Sequence, residues 1–154
     1  MTDQAVAGLV VAMDTGVLHD LEIGENEEVL AKVDVVSSLR RHGAYLAVDY
    51  ERHILNEYFR VLPADTLGRR FVTSCIRRSV IQYASGRLPQ RQLEALRRDQ
   101  FDPDDLPFIG VARATGGVFV TSEEKHLKQE RRDLLLSVYG VRVVSLLELP
   151  SLSP

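Results

Sequence analysis

Cysteine is nearly absent. Cys75 stands alone in 154 residues, which excludes an intramolecular disulfide and a cysteine-based metal site. There is no tryptophan, and aromatic residues make up only 6%. Tyr45, Tyr50, Tyr58, Tyr83 and Tyr139 are scattered and form no evident stacking platform. No apolar run approaches the ~20 residues that span a bilayer, so no membrane partner is expected. The segment Met1-Thr2-Asp3-Gln4 lacks the basic flank and apolar stretch of a signal peptide. Missing too are G-x-x-x-x-G-K, G-x-G-x-x-G and G-x-S-x-G, which argues against nucleotide-loop and serine-hydrolase chemistry. His19, His42, His53 and His126 show no metal-ligand spacing and read as surface or packing histidines. These absences point to a cytoplasmic protein without a cysteine, nucleotide-loop or serine-nucleophile mechanism.

What is present suffices for one domain over residues 1–154. Hydrophobic residues are 45% and charged residues 27%, the balance of a globular chain. The net charge of −3 conceals an uneven distribution. Up to Val35 the acids Asp3, Asp14, Asp20, Glu22, Glu25, Glu27, Glu28 and Asp34 face Lys32 alone. Between Thr66 and Gln100 eight arginines face only Glu94 and Asp99. Of the 19 basic residues 16 are arginine, whose planar fork suits phosphate, although GC-rich coding also enriches it.

The apolar run Gly8–Met13 predicts a buried parallel strand, and Asn26–Arg41 predicts a helix with Val29, Val33, Val36 and Leu39 on one side. Tyr45–Val48 predicts a second strand ending at Asp49, followed by a helix over Tyr50–Leu62. Asp65 caps an expected long helix to about Ala84, stopped by Gly86; a short basic helix follows from Pro89 to Arg98. Asp102-Pro103 opens a helix to about Thr115. Val118–Thr121 is the third expected strand, Ser122–Tyr139 a helix ended by Gly140, and Val141–Val144 the fourth strand. Strand and helix alternating in this way predict an α/β fold with a parallel sheet and helices on both faces.

Four segments place acids where such a sheet would gather them. Asp14 directly follows the first strand, at the edge where open α/β folds bind ligands; it reads equally as a cap of the next turn. Thr15 beside it reads as a partner of a metal-bound water or as a cap. Glu57 lies at the rim of its helix's apolar stripe and by itself reads as a solvated acid at the core rim; Asp49 and Glu51 compete with it, and either could cap the same helix. Asp102 is explained as an N-cap, whereas Asp104 and Asp105 are only partly explained by the helix dipole; Asp105, one turn before Ile109, is favoured and Asp104 is second. Thr121-Ser122-Glu123-Glu124 fits a capping box that accounts for Glu124 and leaves Glu123 without a structural role. Crowded carboxylates repel one another unless a cation sits among them, and oxygen ligands of this kind suit Mg²⁺ or Mn²⁺. Arg70 and Arg77, with Arg69 and Arg78 beside them, read either as a solvated helix face or as a phosphate track next to the acids.

Together, Met13-Asp14-Thr15, Ile54-Leu55-Asn56-Glu57-Tyr58, Asp102–Ala112 and Val118–Glu123 resemble, in order and spacing, the motifs of the PIN-domain family of metal-dependent nucleases. The resemblance covers nearly the whole chain. Its most specific part is an aspartate seven residues before a small helix residue, then a strand ending in Thr-x-acid; Asp105 and Glu123 match those acids. Two positions depart from the pattern: Gly16 stands where Asn or Ser is frequent, and Glu123 where Asp is usual.

The resemblance implies a three-layer α/β/α sandwich around a four- or five-stranded parallel sheet. It also implies an endoribonuclease that holds Mg²⁺ or Mn²⁺ through Asp14, Glu57, Asp105 and Glu123, with Asp104 as an additional candidate ligand. Thr15, Arg70, Arg77 and Arg78 are the expected substrate-binding residues. The expected partners are RNA, single-stranded or structured, together with an antitoxin protein if the chain is a bacterial toxin, and a second copy of the chain. The alternative is a catalytically weak PIN-like module that binds RNA or protein. A phosphotransfer domain of receiver or haloacid-dehalogenase type is disfavoured, because Thr15 or Gly16 stands where its second acid belongs and no lysine follows the fourth strand.

Overall fold

The computed structural model describes residues 8–152; Met1–Gln4 lie outside that range. The parallel strands are β1 (Val10–Met13), β2 (Tyr45–Asp49), β3 (Ile81–Ala84), β4 (Val118–Val120) and β5 (Arg142–Val144). The helices are α1 (Thr15–His19), α2 (Asn26–Arg41), α3 (His53–Val61), α4 (Leu67–Arg77), α5 (Gln90–Arg98), α6 (Leu106–Thr115), α7 (Glu124–Leu127) and α8 (Gln129–Tyr139). Short 3₁₀ turns cover Asp20–Glu22, Pro103–Asp105 and Leu146–Ser151. Helices flank a five-stranded all-parallel sheet of order β3-β2-β1-β4-β5, the architecture of a three-layer α/β/α sandwich. Among the described residues no helix is long and apolar enough to cross a membrane.

β1 forms the centre because its side chains can be buried on both faces. Val11, Ala12 and Met13 are at most 1% exposed, and Val11 pairs with Leu46 of β2 and Val118 of β4. The chain winds outward from β1 to β2 and β3 on one side, then crosses to β4 and β5 on the other. Strand order therefore reverses between β1 and β4, where the carboxyl ends of two strands leave a crevice. Tyr58, Phe108 and Phe119 are the largest fully buried side chains of a single continuous core. Helix α6 approaches the loop after β3 so closely that a Cβ on Gly110 would lie 2.0 Å from the Gly86 carbonyl oxygen. Only glycine fits there, and the approach fixes the N-terminus of α6 beside the crevice.

Three expectations are corrected. The helix expected from Asp65 to Ala84 begins at Leu67, with Thr66 and not Asp65 as its cap, and ends at Arg77. Ser79 takes a left-handed φ of 57°, and Ile81–Ala84 becomes edge strand β3 against β2. Val80, Ile81 and Tyr83 suit an extended edge as well as they continue a helical stripe, and the edge of β2 needs a hydrogen-bonding partner. Gly86 is thus a loop residue, not a helix stop. The helix expected over Ser122–Tyr139 is broken at Lys128, which is extended at φ −64° and ψ 139°. The capping box expected at Thr121–Glu124 is absent: Glu123 is the N-cap of α7, without a side-chain cap. The same Ser/Thr-x-x-Glu pattern does form a capping box at Ser145–Glu148.

Candidate metal centre

Asp14 leaves the carboxyl end of β1 and is 6% exposed. Its Oδ1 accepts the Gly16 N–H at 3.3 Å, the cap of α1, and its Oδ2 accepts the Thr121 hydroxyl at 3.0 Å. Thr121 follows β4 and is fully buried, so the two strands flanking the reversal point are joined through side chains. Asp14 is therefore both a cap and a member of the crevice.

Helix α3 brings the second acid. Asp49 accepts the His53 and Ile54 amides at 2.9 and 2.8 Å and caps this helix, which accounts for its burial. The buried Tyr58 hydroxyl donates to the Met13 carbonyl, tying α3 to the end of β1. Its neighbour Glu57 consequently accepts a hydrogen bond from the Thr15 hydroxyl, immediately beside Asp14. Thr15 thus holds a carboxylate here. Glu51 is used elsewhere, accepting the Gly86 N–H at 2.8 Å.

Asp105 ends the turn that Asp102 caps through the Asp104 N–H at 2.9 Å. Asp105 is 5% exposed, whereas Asp104 faces out and lines the adjoining groove. Glu123, half-buried at the start of α7, lies 3.4 Å from Lys125 Nζ. Between these acids sits a residue that sequence spacing alone passed over. His126 is fully buried, with Nε2 2.8 Å from Asp105 Oδ2 and 3.2 Å from Glu123 Oε2. One donor atom from each of Asp105, Glu123 and His126 falls within 4.8 Å of the others, a cluster that can hold a metal ion. The available signal was the i,i+3 spacing of Glu123 and His126 just past a strand end, visible only once Asp105 was known to face them.

Electrostatics ties Asp14 to this cluster. Burial, and next the charge of Asp105, push its carboxyl up to about 6; the Gly16 and Thr121 hydrogen bonds work against that and the charge of Glu123 adds to it. Asp14 therefore feels both Asp105 and Glu123, with Glu57 joined to it through Thr15. A divalent cation would relieve their repulsion, so the residues present fit such an ion.

A groove of about 790 Å³ runs past Glu57 and Asp104 and carries Arg60, Arg87, Arg97 and His53 on its walls. Arg70, Arg77 and Arg78 do not line it. They line a separate groove of about 470 Å³ with Arg40. Arg40 precedes β2 and Arg78 precedes β3, and Arg78 donates to the Arg40 carbonyl at 2.8 Å.

Compared with protein-family models, with curated proteins and with solved structures, the chain matches none of them.

Proposed function

We propose that this chain is a PIN-type, Mg²⁺- or Mn²⁺-dependent endoribonuclease with Asp14, Glu57, Asp105 and Glu123 as its ligand set. The observation that carries this reading is that the charges of Asp105 and Glu123 act on buried Asp14 at the point of strand reversal, with Glu57 held next to it by Thr15; among the described residues Asp105, Glu123 and His126 form the group within metal-sharing distance. Two of the acids, Asp14 and Asp105, are buried with like charges that repel each other. Stability alone gives no reason to bury mutually repelling carboxylates.

Divalent ions bound there would neutralise charge on a phosphodiester and acidify water for an in-line displacement. The chain's own contribution is positioning. Thr121 and Gly16 fix Asp14, Thr15 fixes Glu57, and the adjoining groove orients the polyanion. Arg60, Arg87 and Arg97 are proposed as its phosphate contacts in place of Arg70, Arg77 and Arg78, because only the former share a groove with Glu57. As the toxin of a toxin–antitoxin pair, such an enzyme would also bind an antitoxin across this cleft.

One observation favours the alternative of a catalytically weak PIN-like RNA- or protein-binding module. Glu123 Oε2 is already engaged by Lys125 and His126, which compete with a metal for that oxygen. Incubation with single-stranded RNA decides between them. The nuclease reading expects cleavage with Mn²⁺ or Mg²⁺, none after chelation, and none in Asp14→Asn. RNA binding without cleavage by wild-type protein at saturating metal would leave the binding module. Unchanged cleavage by Asp14→Asn would end the assignment.

A further inference from the structure

Taking the nuclease reading as its basis, we infer that His126 is a positioning residue for the carboxylates of the metal centre and not a metal ligand, so that the cation sees an all-oxygen set.

Proximity alone suggests the opposite, since Nε2 lies within ligand distance of both acids' oxygens. The other ring nitrogen decides. Nδ1 is buried and has no hydrogen-bond partner among the described residues. A histidine that ligates through Nε2 carries its proton on Nδ1 and donates it to a carbonyl or carboxylate, which sets tautomer and orientation. No such acceptor meets His126 Nδ1. The proton is therefore best placed on Nε2, where Asp105 Oδ2 accepts it at 2.8 Å and Glu123 Oε2 lies 3.2 Å away.

Packing supplies the orientation that a second hydrogen bond would otherwise give. The imidazole stacks on Phe101 at 5.3 Å and 11°, and Phe119 meets it at 5.9 Å and 58°. The Arg131 guanidinium lies 3.9 Å from the centre of the Phe101 ring and backs this stack. The result is a rigid N–H that holds Asp105 directly, with the Glu123 carboxylate beside it. It fixes Asp105 Oδ2, faces Glu123 Oε2, and leaves Asp105 Oδ1 and Glu123 Oε1 for a cation. Oxygen ligands of this kind favour Mg²⁺ or Mn²⁺ over zinc.

The test uses the full chain with Mn²⁺ as probe. Binding is titrated by EPR, and pulsed EPR reports any directly coordinated ¹⁴N. His126→Leu keeps apolar bulk between the two phenyl rings without a donor; His126→Gln keeps an N–H. The expected wild-type spectrum shows no coordinated nitrogen. The Mn²⁺ Kd rises roughly 10–100-fold in His126→Leu, as for loss of an orienting hydrogen bond, and His126→Gln recovers most of that. A nitrogen coupling in wild type that His126→Gln abolishes would make His126 a ligand and overturn the inference. Equal affinity in all three proteins would overturn it as well, even with RNA cleavage intact. If His126→Leu does not fold, the wild-type spectrum and His126→Gln still decide. A wild-type chain that takes up neither Mn²⁺ nor Mg²⁺ refutes this inference and the metal-dependent nuclease reading together.

Discussion

The Thr121 hydroxyl donates to Asp14 Oδ2 at 3.0 Å while accepting the Glu123 N–H at 3.1 Å. One buried hydroxyl thus sets the direction of an acid on β1 and of the backbone that carries an acid after β4. A threonine that sequence pattern assigned to a helix cap is instead a bridge across the strand-reversal point.

Thr121→Val keeps the shape and removes the donor, leaving Asp14 Oδ2 unpaired in a buried place. The expected loss is about 1–3 kcal/mol of stability at pH 7, with weaker Mn²⁺ binding, and Thr121→Ser should recover both. Chemical denaturation and a metal titration of the two variants check this. Equal stability in wild type and Thr121→Val would remove the bridge from the account.

Asp14 titrates higher folded than unfolded, with its carboxyl raised from 3.8 to about 6 by burial and by Asp105. The unfolded chain therefore gives up this proton first, and the metal-free protein loses stability as pH rises from about 4 to about 6. Asp14→Asn should be more stable than wild type at pH 7 without metal, by at most about 3 kcal/mol. The advantage should vanish below the unfolded value, where Asp14 is protonated in both states. Melting curves across this range, with and without Mn²⁺, test the sign; metal should stabilise wild type far more than the variant.

The two arginine grooves make separable predictions. The double substitution Arg87→Gln and Arg97→Gln should weaken single-stranded RNA binding and flatten its salt dependence by about 0.7 in log–log slope for each phosphate no longer neutralised. The same change at Arg70 and Arg77 should leave RNA binding nearly unaltered. A larger effect from the second pair would return the phosphate track to α4.

Two similar sequence patterns should respond differently to mutation. Glu124 is exposed and caps nothing, so Glu124→Ala should be neutral in stability and in cleavage. Ser145 closes a capping box with Glu148, which also pairs with Arg132 at 2.8 and 2.9 Å. Ser145→Ala should cost about 1 kcal/mol. Thermal unfolding of the two variants side by side gives the comparison.

Much of this protein was legible as sequence, because local chemistry decides it. The span Asn26–Arg41 was readable from its apolar spacing, β1 and β4 from their unbroken apolar runs, and the turn at Asp102-Pro103 from its cap. Alternation of these elements fixed the α/β class. The acids Asp14, Glu57, Asp105 and Glu123 were nameable because each sat where local capping or amphipathicity left it unexplained or only half explained.

Tertiary structure decided the rest, because the deciding interactions join residues far apart in the chain. β3 exists because the edge of β2 needed a partner, which no local pattern around Val80 could announce. Thr121 caps no helix because α7 starts only at Glu124, and its hydroxyl instead reaches Asp14, 107 positions away. Arg70 and Arg77 were one face of a helix in the sequence; only the packing of α4 put them in a groove separate from the one that carries Glu57. His126 gained its place only when Asp105, 21 residues earlier, met it at 2.8 Å. Sequence could name the charges, but their interaction energy depends on distance and burial, and only the folded chain sets those.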